Sequence, residues 1–389
     1  MRQRIAITAT VRNRYRKARK KVRSKILDEF VKTTGYNRSY ARFLLGSLKK
    51  RGRKKKYPPR KRRYDVKVFY GLRKLWIAAD CICGRRLKPF IPELITKLQQ
   101  FEEIEISKTV KQKLLTMGSA TIDRILSATK KSYQLKGRST TKPGSILKSQ
   151  IPVKTFADWD EEKERPGFFE TDLVAFCGES VTGDYVNGLN LTDICTGWVL
   201  LDAVMGKAQS RVFPAIESAR ERLPYKMLGL NPDNGSEFIN WHLKRYCEKE
   251  GISFTRIRAG KKNDNSYVEQ KNYTVMRLFI GYARYDTKKQ LIIIKEILKL
   301  VEVYVNFFQP SLKLKSKQRL GSKVKKKYYT AKTPYQRLLK SGVLTKKQEQ
   351  QLQSYYETLN PMEIRRQIHR LQKKLNKTLR WKIHDLTNT

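Results

Sequence analysis

Charge divides this chain into three blocks, and the division limits what each block can fold into. Residues 1–150 carry 42 Lys and Arg against 9 Asp and Glu, residues 291–389 carry 23 against 6, and residues 151–290 carry 20 of each. Blocks as basic as the two ends repel themselves unless a polyanion neutralises them. Nucleic acid, held through phosphate contacts with release of counterions, is the natural partner. Charge alone does not separate DNA from RNA. The neutral middle can close a compact core of its own, and with 39% hydrophobic residues the chain is not a disordered tail.

No stretch is apolar enough to span a bilayer. The best, LIIIKEILKLVEVYVNFF, is interrupted by Lys295, Glu296, Lys299 and Glu302 and reads as a packed helix. The N-terminal MRQRIAITATVRNRYRKARKK has no apolar secretory core, and the five cysteines fall in no disulfide pattern. A reducing, cytoplasmic setting and no membrane partner are therefore expected.

The basic ends read as helical. In RSKILDEFVKTTGYNRSYARFLLGS, residues 23–47, Ile26, Leu27, Phe30 and Val31 keep one apolar face and Gly35 breaks the helix. Asn37 caps a second helix in which Tyr40, Ala41, Leu44 and Leu45 restore the period. Arg38 and Arg42 on that second helix suit a major-groove reader, although many small bundles contain such pairs. KKRGRKKKYPPRKRR, residues 49–63, is a basic linker. Residues 64–131 predict further helices, with Ser119 a plausible N-cap, and form with the Ser/Thr/Lys-rich 132–150 a second helical DNA-binding module and its linker. After Phe308 the chain is polar and basic to 333. The last helices include one that Asn360 caps, with Pro361 at its first position and Glu363 completing a capping box. Its stripe of Ile364, Ile368, Leu371, Leu375 and Leu379 is a packing or oligomer seam. The expected division is 1–63, 64–150, a core over 151–310, and a basic linker with C-terminal helices over 311–389.

In the middle block, PGFFETDLVAFCG, YVNGLNLTDIC, GWVLLDAVMG, YKMLGLNPD and ISFTRIR read as strands. AQSRVFPAIESARERL and EFINWHLKRYCEKEG read as helices between them. Three strands, a helix, a strand, a helix and a strand predict an α/β fold, a mixed five-stranded sheet with flanking helices.

Three carboxylates stand out there. Asp172 interrupts the apolar strand FFETDLVAF, and Asp233 ends a second strand at the turn NPDNGSEF. Glu269 lies in the helix KKNDNSYVEQKNYTVMRLF. Each alone is ordinary, since strand aspartates are commonly edge residues and turns favour Asp, Asn and Gly. Together, two carboxylates on adjacent strand ends and one on a facing helix can converge on oxygen-seeking divalent cations. Two such ions about 3.5–4 Å apart clamp the attacking and leaving oxygens of an in-line phosphoryl displacement. Asn265 and Asn272 share the helix face of Glu269, and Lys262 and Lys271 flank it as candidate DNA-backbone contacts; capping the helix entry is an equal alternative for Lys262 and Asn265. Glu237, placed in the first turn of the following helix, and Asp264 read as structural, and Asp193 is left outside the site.

These phrases carry a resemblance. NPDNGSEF and KKNDNSYVEQKN, with 35 residues between Asp233 and Glu269, resemble those holding the second aspartate and the glutamate of the DDE triad of retroviral integrases and insertion-sequence transposases. LTDICTGW resembles the hairpin between that superfamily's first strands, and VNFFQPSLKL its segment after the catalytic core. The similarity spans about 165–312. It implies a ribonuclease-H-like core, with Asp172, Asp233 and Glu269 as catalytic metal ligands for two Mg²⁺ ions, for which Mn²⁺ substitutes. It implies cleavage at transposon ends and transfer of the 3′-hydroxyl into double-stranded target DNA, by a homo-oligomer assembled on DNA in a bacterial nucleoid. One departure is clear. The zinc-binding His-His-Cys-Cys domain of retroviral integrases has no counterpart, because His242, His369 and His384 all lie far from the N-terminus and Cys81 and Cys83 have the wrong spacing. End recognition therefore falls to the helical modules. A nuclease that only cuts, and a DNA-binding repressor with a decayed core, are the competing readings.

Overall fold

The computed structural model describes residues 2–46, 63–131, 164–233, 235, 237–256, 266–320 and 323–387. They form two compact units, Met1–Arg63 and Tyr64–Thr389.

In the first unit three helices, α1 (Arg2–Lys17), α2 (Lys20–Thr34) and α3 (Arg38–Gly46), close around Leu27, Phe30, Ala41 and Leu45. The chain turns between α2 and α3 because Gly35 adopts a left-handed φ of 67° and returns its N–H to the Val31 carbonyl. Asn37 then accepts the Ser39 N–H at 2.9 Å and starts α3. Helix α1 was not expected from the sequence. Its apolar face is only Ile7, Val11 and Tyr15, set among basic residues, yet these pack against the same cluster.

The second unit begins with α4 (Val66–Ala78), α5 (Gly84–Leu87), α6 (Ile91–Gln100), α7 (Lys108–Leu115), α8 (Ser119–Ile125) and α9 (Ser127–Lys131). The sheet follows as β1 (Phe168–Ala175), β2 (Val186–Asp193), β3 (Val199–Met205), helix α10 (Gln209–Glu221), β4 (Gly229–Pro232), helix α11 (Trp241–Lys249) and β5 (Ser253–Phe254). Next come α12 (Ser266–Lys271), a π-helical turn over Asn272–Arg277, α13 (Leu278–Ile280) and the long α14 (Lys288–Phe308). The strand order is β3-β2-β1-β4-β5. β1, β2 and β3 pair antiparallel, while β4 pairs parallel with β1 and β5 parallel with β4. This is the expected ribonuclease-H-like mixed sheet. All eight residues of β2 are buried, as a central strand covered on both faces requires.

β3 is an edge strand, and an open edge of N–H and C=O groups needs cover. Helix α14 supplies it with side chains. Asn306 accepts the Val199 N–H and donates to the Val199 carbonyl, both at 2.8 Å. Glu302 accepts the Leu201 N–H at 2.7 Å and is ion-paired with Arg222 at 3.0 Å, while Arg222 donates to the Leu201 carbonyl. Glu302, one of the charges interrupting the most apolar stretch of the sequence, therefore helps to close the sheet.

After α14 the structure departs from the expected linker. There β6 (Leu314–Leu320) and β7 (Lys323–Tyr328) pair antiparallel as a hairpin. Three helices complete the chain: α15 (Pro334–Ser341), α16 (Lys346–Thr358) and α17 (Pro361–Thr387). On α17, Ile364, Ile368 and Leu375 are buried and Leu371 and Leu379 pack beside them, so the apolar stripe is a packing seam within the chain. Asn360 caps α17 as expected, but Glu363 bonds Arg366, Gln367 and Arg370. The N-cap of α8 is Gly118, and Ser119 is its first helical residue.

The helices over 64–131 share this unit with the sheet. The Tyr304 hydroxyl donates to the Ala78 carbonyl at 2.6 Å, and Gln309 donates to the Ala79 carbonyl at 2.8 Å. Lys97 meets Glu357, and Arg366 meets Glu103. Replacing Asn306 by Ala leaves two buried backbone groups of β3 without partners, at about 1–3 kcal/mol each. Denaturant unfolding of N306A should show a loss of about 2–4 kcal/mol; a loss within error of zero would contradict the role given to this side chain.

Candidate active site

The sheet register brings the two aspartates together. Along the parallel pair, Glu170 lies opposite Asn231 and Thr171 opposite Pro232. The next residues, Asp172 and Asp233, therefore come level where β4 ends. Across the antiparallel pair Asp172 faces Asn190. Burial raises the Asp172 carboxyl to about 7, with the Asp233 charge next in importance and a smaller push from Glu269. Burial likewise raises Asp233 to about 6; the Gly235 N–H at 3.0 Å and Lys207 oppose the shift, while Glu237 adds to it. Two carboxylates in one desolvated site disfavour each other's ionisation.

Asp172 is held by a chain of amides. Its Oδ1 accepts the Leu173 N–H at 2.8 Å, and its Oδ2 accepts Asn272 Nδ2 at 2.5 Å. Asn190 Nδ2 donates to Asn272 Oδ1 at 2.8 Å, and the Thr192 hydroxyl donates to Asn190 Oδ1 at 3.1 Å. Asn272, expected as a DNA contact, thus bonds within the site. It opens the π-helical turn, a feature frequent at functional sites.

Glu269 is exposed in the short helix α12, on the rim beside Asp172. The start of that helix is anchored by a residue that sequence reasoning passed over. Glu170, fully buried, accepts the N–H groups of Tyr267 at 2.8 Å and Val268 at 2.9 Å. Residues 170 and 172 share a face of β1, so one strand carries an aspartate and the anchor for the helix bearing the third carboxylate. Period-two alternation places Glu170 on that face, but no sequence pattern says what it bonds. Asn190 and Lys207 were likewise unmarked.

The other candidates are dispersed. Arg38 bonds Asp28 and donates to Ser24 Oγ at 3.1 Å within the first unit, and Arg42 is exposed there. Lys271 is pushed down to about 7 by burial, then by the charges of Arg86 and Arg337. It lies among cations and not on the face of Glu269. Lys262, Asn265 and Asp264 fall outside the described residues. Asp193 is buried and accepts the N–H groups of Gly167 and Thr196 and the Thr196 hydroxyl, tying the β2–β3 turn. Glu237 lies ahead of α11, whose N-cap is Asn240.

An all-oxygen set of two aspartates backed by amides fits a hard divalent cation. Among the described residues, no three Asp, Glu, His or Cys side chains stand close enough to share one ion; Asp172 and Asp233 form the pair, and Glu269 does not close on them.

No family model matches the sequence. The uncharacterized protein y4rM of Sinorhizobium fredii (strain NBRC 101917 / NGR234) is 35% identical over 341 residues, covering 87% of this chain and 95% of that protein. Among solved structures, the catalytic core domain of BIV integrase is 18% identical with a TM-score of 0.31, covering 45% of this chain and 95% of its own. The HTLV-2 integrase catalytic core domain in complex with magnesium is 15% identical with a TM-score of 0.29, covering 38% and 92%.

Replacing Glu170 by Ala frees the first turn of α12. Hydrogen exchange at the Tyr267 and Val268 amides should accelerate about 10- to 100-fold, matching about 1.5–3 kcal/mol for bonds to a charged acceptor, while β2 and β3 stay protected. Unchanged exchange at those two amides would remove Glu170 from this role.

Proposed function

We propose that this chain, which belongs to the family of the Sinorhizobium fredii protein y4rM, is a metal-dependent DNA transposase. On this reading it cuts at transposon ends and joins the freed 3′-hydroxyl to target DNA. The observation that carries the reading is the half-buried pair Asp172 and Asp233, levelled by the β1–β4 register beside the helix of Glu269 on a ribonuclease-H-like sheet. The phrases around Asp233 and Glu269 support it.

Asp172, Asp233 and Glu269 are the residues that would hold two Mg²⁺ ions, for which Mn²⁺ is the expected substitute. When bound, such ions polarise the scissile phosphate and acidify the attacking hydroxyl. The protein's own part is positional. Asn272 and the Leu173 N–H fix the Asp172 carboxylate, Gly235 orients Asp233, and Glu170 anchors the helix of Glu269. No side-chain nucleophile is required, since water attacks first and the DNA 3′-hydroxyl second. The basic ends hold double-stranded DNA, with Arg38 and Arg42 as proposed contacts there and Lys262, Asn265 and Lys271 as proposed contacts from the middle block, and the working species is a homo-oligomer on paired ends.

The test supplies purified protein, Mg²⁺, a target plasmid, and a donor plasmid bearing the gene with its native flanks, and sequences the new junctions. Defined flank ends joined to scattered target sites are expected. They should vanish with EDTA and fall at least about 10³-fold in Asp233→Asn, as loss of a group acting on developing charge implies, with DNA binding retained. Cleavage without joining would reduce the activity to that of a nuclease, and binding without products to that of a repressor. Joining by Asp233→Asn at the wild-type rate would sink the triad assignment.

A further inference from the structure

A second feature of the Tyr64–Thr389 unit lies outside the carboxylate site. The β2–β3 turn, the chain entering β6, the chain leaving β7, and α15 enclose a cavity of about 360 Å³ lined by Lys313, Lys332, Arg337 and Lys340, with the acid Glu164 also on its wall. Its frame is fixed. Ser311 and Lys332 exchange backbone hydrogen bonds at 2.9 and 3.2 Å, and Tyr329 donates to the Lys313 carbonyl at 2.9 Å. Arg337 is oriented by the Thr196 carbonyl at 3.0 Å, the Ser311 hydroxyl at 2.8 Å and the Ser311 carbonyl at 2.6 Å. Lys313 contacts the Cys195 carbonyl.

All of these partners are neutral. None of the ion pairs among the described residues includes Lys313, Lys332, Arg337 or Lys340. Lys332 and Lys340 line the same cavity, and the neighbouring Lys340 lowers the affinity of Lys332 for a proton. Burial pushes Lys313 and Arg337 in the same direction. Neighbouring lysines that form no ion pair are unfavourable in the free protein, an arrangement that an anion seated between them reverses. An adjoining cavity of about 380 Å³, sharing Tyr329 and Thr330, brings Arg85 and Lys88 to the same segment after β7. The hairpin beyond exposes Lys315, Lys325, Lys326 and Lys327. A lone small anion has no use for such a continuing track, whereas a polymer of phosphates does.

We propose that this cavity is a phosphodiester-binding site that grips the backbone of DNA at the base of the β6–β7 hairpin, with Lys332 and Lys340 closing on one phosphate and Arg337 and Lys313 forming its floor. The choice of DNA as the source of the phosphate rests on the transposase reading; the anion chemistry does not.

The test uses the full chain without metal, so that binding is read apart from catalysis. Anisotropy of labelled duplexes of several sequences is measured over a salt series for wild type and for Lys332→Gln/Lys340→Gln, two side chains that anchor no backbone. The expected result is at least about 5-fold weaker binding to every duplex alike and a log–log salt slope reduced by about 1–2, near 0.9 for each phosphate no longer neutralised. Unchanged affinity and slope would overturn the site. So would an unchanged slope together with inorganic phosphate raising the melting temperature of wild type but not of the double variant, which would make the cavity a small-anion site. A chain that shows the expected slope change yet never cuts DNA would sink the transposase reading and leave this site standing.

Discussion

The parallel pairing of β1 with β4 is the constraint on which the rest depends. It is short, four register pairs ending at Thr171 and Pro232, and its end is what places Asp233 beside Asp172. Bringing two carboxylates into a desolvated site is unfavourable, as their raised proton affinities record. The fold offsets the cost locally, with the Asn272 amide and Leu173 N–H at one carboxylate and the Gly235 N–H at the other. A slip of β4 by one residue in that register would turn Asp233 to the opposite face of the sheet from Asp172. The closed edge of β3 matters for the same reason, because Asn306 and Glu302 fix the far side of the sheet in which the register is set.

Much of the central block was legible because its strands are buried. FFETDLVAF, YVNGLNLTDIC and GWVLLDAVMG are apolar enough to announce themselves, and the polar residues that break them, Asp172 among them, draw attention. What the sequence did not disclose has a common physical cause: partners across space. Glu170 looks like a routine alternation partner of Asp172 until the N–H groups of Tyr267 and Val268, about a hundred residues away, are seen to end on it. Asn272 falls on the Glu269 face by helical period, but the π turn that starts there directs it to Asp172.

The basic segments were harder to read. β6 and β7 carry so many lysines that neither shows a hydrophobic alternation, and their pairing follows from backbone bonds across the hairpin. Helix α1 is masked by its arginines in the same way. Period alone gave the helices over 64–131 their type but not their companions; the bonds from Tyr304 and Gln309 to the end of α4 tie them to the unit that holds the sheet. Charge balance had set the middle block apart, whereas within the Tyr64–Thr389 unit packing joins it to the helices over 64–131 and to the C-terminal helices.

On the proposed reading, Asp172 and Asp233 together hold a divalent cation. Isothermal titration of the full chain with Mn²⁺, followed by competition with Mg²⁺, addresses it without any need for a DNA substrate. The expected result is saturable binding that Mg²⁺ displaces and that Asp172→Asn abolishes while the melting transition is retained. No saturable binding by the wild type, or binding that survives in Asp172→Asn, would contradict it.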